Sequence, residues 1–288
     1  MRLILLFGLV AISLGQAQKP HNAVNGGSST NVPAWLRFFG DGSEGALSVT
    51  SGTTLVGEHW YTTVSVSSGA AVQAANPNTP LIIRATVSCT IGGTVGNNST
   101  SVHPSEGNPA NGDFGGTGGG GGGGTSAGVA GFANQLAGSP ATILPGGTAG
   151  AASNGAGGTG MSPIAGIVQL FKDQGFAWPL GGSSGGDGYG SPGSGGNGGG
   201  VVVLVCPVIT VTGAIHVSGA AGANVTSSGK GGGGGGGGGI IILAGFNVTT
   251  TGATLDVAGG AGGILHSGGN SGAGGMGGDG FKYVVTIQ

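Results

Sequence analysis

Residues 274–282 read Gly-Gly-Met-Gly-Gly-Asp-Gly-Phe-Lys and fit the calcium-binding nonapeptide, whose aspartates share an ion between successive turns. That chemistry needs tandem copies to complete an oxygen shell, and residues 182–189, around Asp187, echo the pattern only in part. In a chain with 75 glycines one full copy arises easily by chance, so Asp279 is a weak calcium candidate and reads first as a polar turn residue. Asp41 and Glu44, close together in a Gly-Asp-Gly-Ser-Glu-Gly loop, have the residue types of a glycosidase acid/base pair. Such a pair must converge on one cleft among aromatic or basic neighbours, and the whole chain holds nine acids. Asp256 has no evident partner, and His59, His103, His216 and His266 lack the i,i+2 or i,i+4 spacing of a metal pair. No lysine followed by Ser or Thr closes the glycine runs, so they are not phosphate loops. The expectation is a non-enzyme with no catalytic residue, no cofactor and no metal. Cys89 and Cys206 lie in β-like runs of similar sequence; a disulfide between neighbouring turns and two buried thiols are both open readings.

Composition narrows the field further. Charged residues are 6% of the 288, against about a quarter in ordinary globular proteins. Seven scattered basic residues and a net charge of -2 argue against nucleic acid or an anionic membrane surface as partner. With 38% hydrophobic residues the unfolded chain would aggregate through its uncharged β-prone windows, so it must fold tightly or assemble deliberately. There is no strict Gly-X-Y period, which excludes collagen. Met1-Arg2, the apolar residues 3–14 and the small-x-small Gly15-Gln16-Ala17 read as a secretory signal ending at residue 17; the alternative is a buried first element. The apolar run falls short of the ~20 residues a spanning helix needs. A secreted, extracellular or surface-held protein with no membrane span after cleavage is expected.

The elements that would hold any site repeat along the chain. Val201-Val-Val-Leu-Val, then Val208-Ile-Thr-Val and Gly213-Ala-Ile-His-Val, is echoed ~40 residues later by Ile240-Ile-Ile-Leu, Val248-Thr-Thr-Thr and Gly252-Ala-Thr-Leu-Asp-Val. A weaker copy starts at Leu81, and a final strand begins at Phe281. Each unit runs apolar strand, turn, Val/Thr strand, Gly, short strand, then a glycine-rich excursion. Short β runs over 46–49, 53–56, 61–67 and 70–73 continue the pattern, with Gly52, Gly57 and Gly69 suited to corners needing positive φ. The fold class expected is all-β: a short parallel β-helix or solenoid with little helix.

The excursions leave each unit at equivalent points, so geometry sets them side by side. Residues 231–239 are all glycine and pass without a polar break into Ile240, which no flexible linker would do. Glycine can adopt the threefold extended helix that lacks internal hydrogen bonds. In a lateral array its peptide groups bond to neighbours and any side chain would push the helices apart. A packed layer of polyglycine II-type helices is therefore expected. The organisation predicted is signal peptide 1–17, linker 18–38, β-helix rungs 39–95, glycine-rich insertion 96–200 with a short helix near 163–174, and β-helix repeats 201–288. Partner contacts are expected in the insertion, at Asn111, Phe114, Phe176, Trp178 and Tyr189. Thr249-Thr250-Thr251 and Thr210/Thr212 raise the idea of an ice-ordering face, but the sequence displays no long regular threonine ladder.

Phe39-Gly-Asp-Gly-Ser-Glu-Gly-Ala-Leu-Ser-Val, Trp60-Tyr-Thr-Thr-Val-Ser-Val and Gly213-Ala-Ile-His-Val-Ser-Gly-Ala-Ala-Gly resemble segments of glycine-rich proteins of tailed bacteriophages and bacteria. The likeness covers nearly everything after Ala34, and its motifs are compositional. It implies a virion fibre, tail or adhesin-like protein, and is similar also to polyglycine-layer adhesins at phage fibre tips. The signal peptide departs from that pattern, because virion proteins assemble in the cytoplasm. The function expected is a secreted structural or adhesive scaffold that contacts an extracellular or cell-surface polymer or self-associates into fibres. The alternative is a phage tail-fibre or receptor-binding protein.

Overall fold

The computed structural model describes residues 38–74, 80–96, 185, 188, 193–266 and 271–287. Its ordered elements are strands: β1 (Ala46–Val49), β2 (Gly52–Leu55), β3 (Glu58–Val66), β4 (Ala71–Ala74), β5 (Leu81–Ile91), β6 (Thr94–Gly96), β7 (Val201–Val205), β8 (Val208–Val211), β9 (Ala214–His216), β10 (Ile240–Gly245), β11 (Asn247–Thr249), β12 (Thr254–Asp256) and β13 (Phe281–Thr286). They form two sheets in which every ladder is parallel. One runs β1-β3-β5-β7-β10-β13, with β8 joined to β5 and β11 to β8; the other runs β12-β9-β6-β4-β2. The chain is thus all-β, and the repeat sets its register: Ile240 lies beside Val201, Asn247 beside Val208 and Thr254 beside Ala214.

The long strand β5 is shared by two shorter ones. Its first half pairs with β7, Leu81 beside Val202, and its second half with β8, Ser88 beside Val208. Between β7 and β8 the chain turns at Cys206-Pro207, where Pro207 has no N–H to give a ladder. Cys206 is disulfide-bonded to Cys89 of β5, with the two Cα atoms 6.0 Å apart.

The main core lies between the sheets. Val64, Val66, Leu81, Ile83, Cys89, Ile91, Leu204, Ile209 and Leu243 from the first meet Val72, Val95 and Ile215 from the second. A second cluster, Val201, Val203, Val205, Ile240 and Ile242 with Phe39 and Ile82, covers the opposite face of β7 and β10. Burial on both faces is why these strands are unbroken apolar runs with no alternation; each such side chain contributes about 1.5–3 kcal/mol.

The corners depart from expectation in one detail. Gly57 and Gly69 do take positive φ, 77° and 81°, but Gly52 opens β2 beside Ala71, and the preceding left-handed turn falls at Gly45, φ 73°. β3 also starts at Glu58, earlier than its Val/Thr/Ser content suggests, because Glu58 to Tyr61 pair with Ile82 to Ala85.

Between strands, residues 193–200, 217–225, 231–239, 257–265 and 271–280 run as extended tracts that bond to one another at every third residue. The N–H groups of Gly232, Gly235 and Gly238 donate to the carbonyls of Gly272, Gly275 and Gly278. Those of Gly233, Gly236 and Gly239 donate to Ala223, Ala220 and Val217. Gly196 and Gly199 donate to Gly234 and Gly237, and Gly260 and Gly263 to Gly236 and Gly233. Every residue from 231 to 239 is buried. The helix expected near 163–174 lies outside the described residues.

Candidate functional site

Three groups of polar side chains are positioned by this frame. The first sits where residues 40–45 fold over β3. Gly40, Gly42 and Gly45, with φ of 88°, 70° and 73°, turn the loop back so that Thr62 N–H donates to the Gly45 carbonyl. Glu44 then accepts two hydrogen bonds, from the Trp60 N–H at 2.8 Å and from His59 Nδ1 at 2.9 Å. A carboxylate only accepts, so His59 carries its proton on Nδ1. The Tyr61 hydroxyl is 3.3 Å from the same nitrogen and its ring stacks on His59, the planes 4° apart. Beside them the buried Arg84 binds Glu58 at 2.5 Å and the Phe38 carbonyl, with its guanidinium 5.9 Å from both the Phe38 and Trp60 rings. Glu44 and Arg84 thus fasten the N-terminal segment to β3 and β5, while the buried His59 Nε2 has no partner among the described residues. Asp41 does not converge with Glu44: its carboxylate accepts the Ser43 N–H of its own loop.

Burial, and then the charge of Glu44, push the Tyr61 phenol up to about 12. Its folded value exceeds the ordinary 10.0, so the stability it carries is intact below 10.0 and is lost as pH climbs towards about 12. Difference ultraviolet titration of the native protein against Tyr61→Phe should show one phenol ionising near that upper value. Alkaline destabilisation between the two values should be smaller in Tyr61→Phe; equal alkaline melts for both proteins would refute this account.

The second group pairs adjacent strands. His216 on β9 lies beside Asp256 on β12, Nδ1 to Oδ2 3.2 Å. Burial raises the Asp256 carboxyl, but the Ala258 N–H and His216 outweigh it and hold the group below the usual carboxylate range. The partner that sequence alone did not reveal for Asp256 is thus supplied by strand register.

The third group serves the tracts. Asp279 accepts the Gly259 N–H at 3.0 Å and Asn224 the Ile264 N–H at 2.8 Å, so side chains satisfy rim peptides that the neighbouring tracts do not. Asp279, the aspartate of the calcium-like nonapeptide, is occupied in this way, while Gly274, Gly277 and Gly280 of the same nine residues donate to the 257–265 tract. Among the described residues no three His, Cys, Asp or Glu side chains gather as a metal-ligand set. The expected contact residues Asn111, Phe114, Phe176, Trp178 and Tyr189 lie outside the described residues, as does Asp187.

The largest built feature is the array of tracts itself. A Cβ placed on Gly233, Gly235, Gly236, Gly238 or Gly239 would stand 1.8–2.0 Å from a neighbouring carbonyl oxygen. The central tract meets neighbours on several sides and so tolerates no side chain at these positions. In the tract 193–200 the same clash falls at every third residue, Gly193, Gly196 and Gly199, and the half-buried Ser194 and Asn197 fit between. In the tract 271–280, Met276 and Asp279 are exposed.

No family model matches the chain, and no curated protein or solved structure does so at a significant level. No helix among the described residues is long and apolar enough to cross a membrane.

Proposed function

We propose that this protein is a secreted, non-enzymatic scaffold of the fibre, coat or surface-adhesion kind. In this reading the two parallel sheets are walls of a short β-helix, and the tracts are a slab of polyglycine II-type helices carried on its side. The observation that carries it is the threefold lateral bonding of buried residues 231–239, at positions where a Cβ has no room. A rigid, nearly uncharged slab is a load-bearing or presenting element, and the described polar groups beside it fasten backbone. Contact with a cell-surface or extracellular polymer, or fibre formation by self-association, follows from that role. The likeness of the Phe39–Val49 and Gly213–Gly222 segments to phage glycine-rich proteins supports a second reading as a tail-fibre or receptor-binding virion protein.

Hydrogen exchange read by mass spectrometry tests the slab. Amides of residues 231–239 should exchange roughly a thousandfold or more slower than those of a random coil, while residues 226–229, at an exposed turn, should exchange fast. Random-coil exchange across 231–239 would remove the scaffold. Fractionation tests the address: the processed chain should be found outside the cell and retained on its surface. Recovery only in purified virions would select the second reading.

A further inference from the structure

Strand register assembles a feature that no single stretch of sequence contains. Ser48 of β1 lies beside Ser65 of β3, Ser65 beside Thr90 of β5, Thr90 beside Thr210 of β8, and Thr210 beside Thr249 of β11. Five neighbouring strands thus place a hydroxyl at the same register position. The flanking columns point the other way: Leu47, Val64, Cys89, Ile209 and Val248 on one side, and Val49, Val66, Ile91 and Val211 on the other, belong to or pack on the inter-sheet core. Ser48, Ser65, Thr90 and Thr249 are exposed and Thr210 is half-buried, so the hydroxyl column faces outward. None of the five makes a side-chain hydrogen bond among the described residues. At about 4.8 Å per strand the row is about 19 Å long.

We infer that this outward face is a docking surface for a neutral polysaccharide, carried by the Ser48–Ser65–Thr90–Thr210–Thr249 hydroxyl row. The inference deepens the adhesive reading and rests on it. Each hydroxyl both donates and accepts, which matches the hydroxyls of a sugar chain lying along the row. The next outward column, Ala46, Thr63, Ser88, Val208 and Asn247, also carries no charge, so the surface offers nothing to a polyanion. Val208, 43% exposed in that second column, gives apolar area for the C–H faces of sugar rings. A protein partner would call for an aromatic- or Arg-rich core that these two columns lack. Ice would call for a second regular rank, whereas Ala46, Thr63, Ser88, Val208 and Asn247 change type at each step.

Full-length protein is incubated with microcrystalline cellulose and with chitin, at low and high salt, beside the Thr90→Val/Thr210→Val variant. Expected is depletion from solution by at least one of these solids, indifferent to salt, with affinity falling roughly tenfold or more in the variant. Matching thermal melts of the two proteins show that the variant is folded; if it is not, Ser65→Ala/Thr90→Ser, which interrupts the row by removing the Ser65 hydroxyl and keeps one at position 90, takes its place. Equal binding by wild type and folded variant overturns the hydroxyl row and leaves the adhesive reading standing. Failure to bind either solid, or ice shaping without polysaccharide binding, also overturns it. Loss of cell-surface retention in the fractionation test, by contrast, removes the adhesive reading itself.

Discussion

Gly236→Ala should force the packed tracts apart although it adds a single methyl group. The new Cβ would lie 2.0 Å from the Asn197 carbonyl oxygen and 2.4 Å from its carbon. Both atoms are backbone, fixed by the Ala220 N–H to Asn197 bond at 2.8 Å, so nothing nearby can rotate away. Relief requires the 231–239 and 193–200 tracts to separate, which breaks lateral bonds made by Gly196 and Gly199 and strains those of Gly236 itself. Overpacking of about 1–3 kcal/mol and several bonds at about 1 kcal/mol each give a loss of about 4 kcal/mol or more. At roughly 2–4 °C per kcal/mol the melting temperature should drop by about 10 °C or more. Two controls bracket the effect. Gly252→Ala has no atom within 4 Å of its Cβ but a φ of 81°, and should cost about 1–2 kcal/mol from the left-handed backbone alone. Ala261→Ser, at an exposed position of a rim tract, should stay within about 0.5 kcal/mol. A Gly236→Ala protein that melts no lower than Gly252→Ala would mean that the tracts do not pack as described.

The contrast between these positions explains what could be read from the chain. The unbroken apolar runs at Val201 and Ile240 announce strands buried on both faces, and the ~40-residue echo announces their register, because both are local patterns repeated. The nine glycines of residues 231–239 announce a central tract, since the innermost member of the array has the fewest free directions for a side chain. The tracts beside it are less legible. Residues 193–200 and 271–280 need glycine only at intervals, and Ser194, Asn197, Met276 and Asp279 disguise that period as ordinary loop composition. The calcium-like match around Asp279 has the same origin: a tract with glycine at 274, 277 and 280 satisfies most of the nonapeptide for packing reasons.

The polar groups were legible only where sequence neighbours meet. Glu44 and His59 are 15 residues apart, His216 and Asp256 40, and Glu58 and Arg84 26. None of these spacings signals a pair until parallel register is known. The hydroxyl row is the extreme case. Looking along the chain for threonines finds Thr249-Thr250-Thr251, whereas the row runs across the strands and takes one residue from each. The register joins Thr90 to Thr210 across the long insertion, so this mixed serine and threonine row has no counterpart along the chain.

Removing the Cys89–Cys206 bridge should have an effect of the same order as Gly236→Ala, by a different route. The bond closes a loop of 117 residues, which includes the insertion between β6 and β7. In the chain-entropy account, a loop of about that length stabilises the folded state by about 4.7 kcal/mol, because the cross-linked unfolded chain has far fewer conformations. The bridge also pins β5 to the turn at which its partner changes from β7 to β8, so register is fixed where a slip would turn the core outward. Cys89→Ala/Cys206→Ala should lower the urea midpoint by an amount equivalent to about 4 kcal/mol, and reductant should have no further effect on that variant. Both sulfurs are fully buried, so reductant should act on the native protein slowly, at the rate at which it opens. Oxidised wild type and double variant sharing one midpoint would show that the bridge adds nothing to stability.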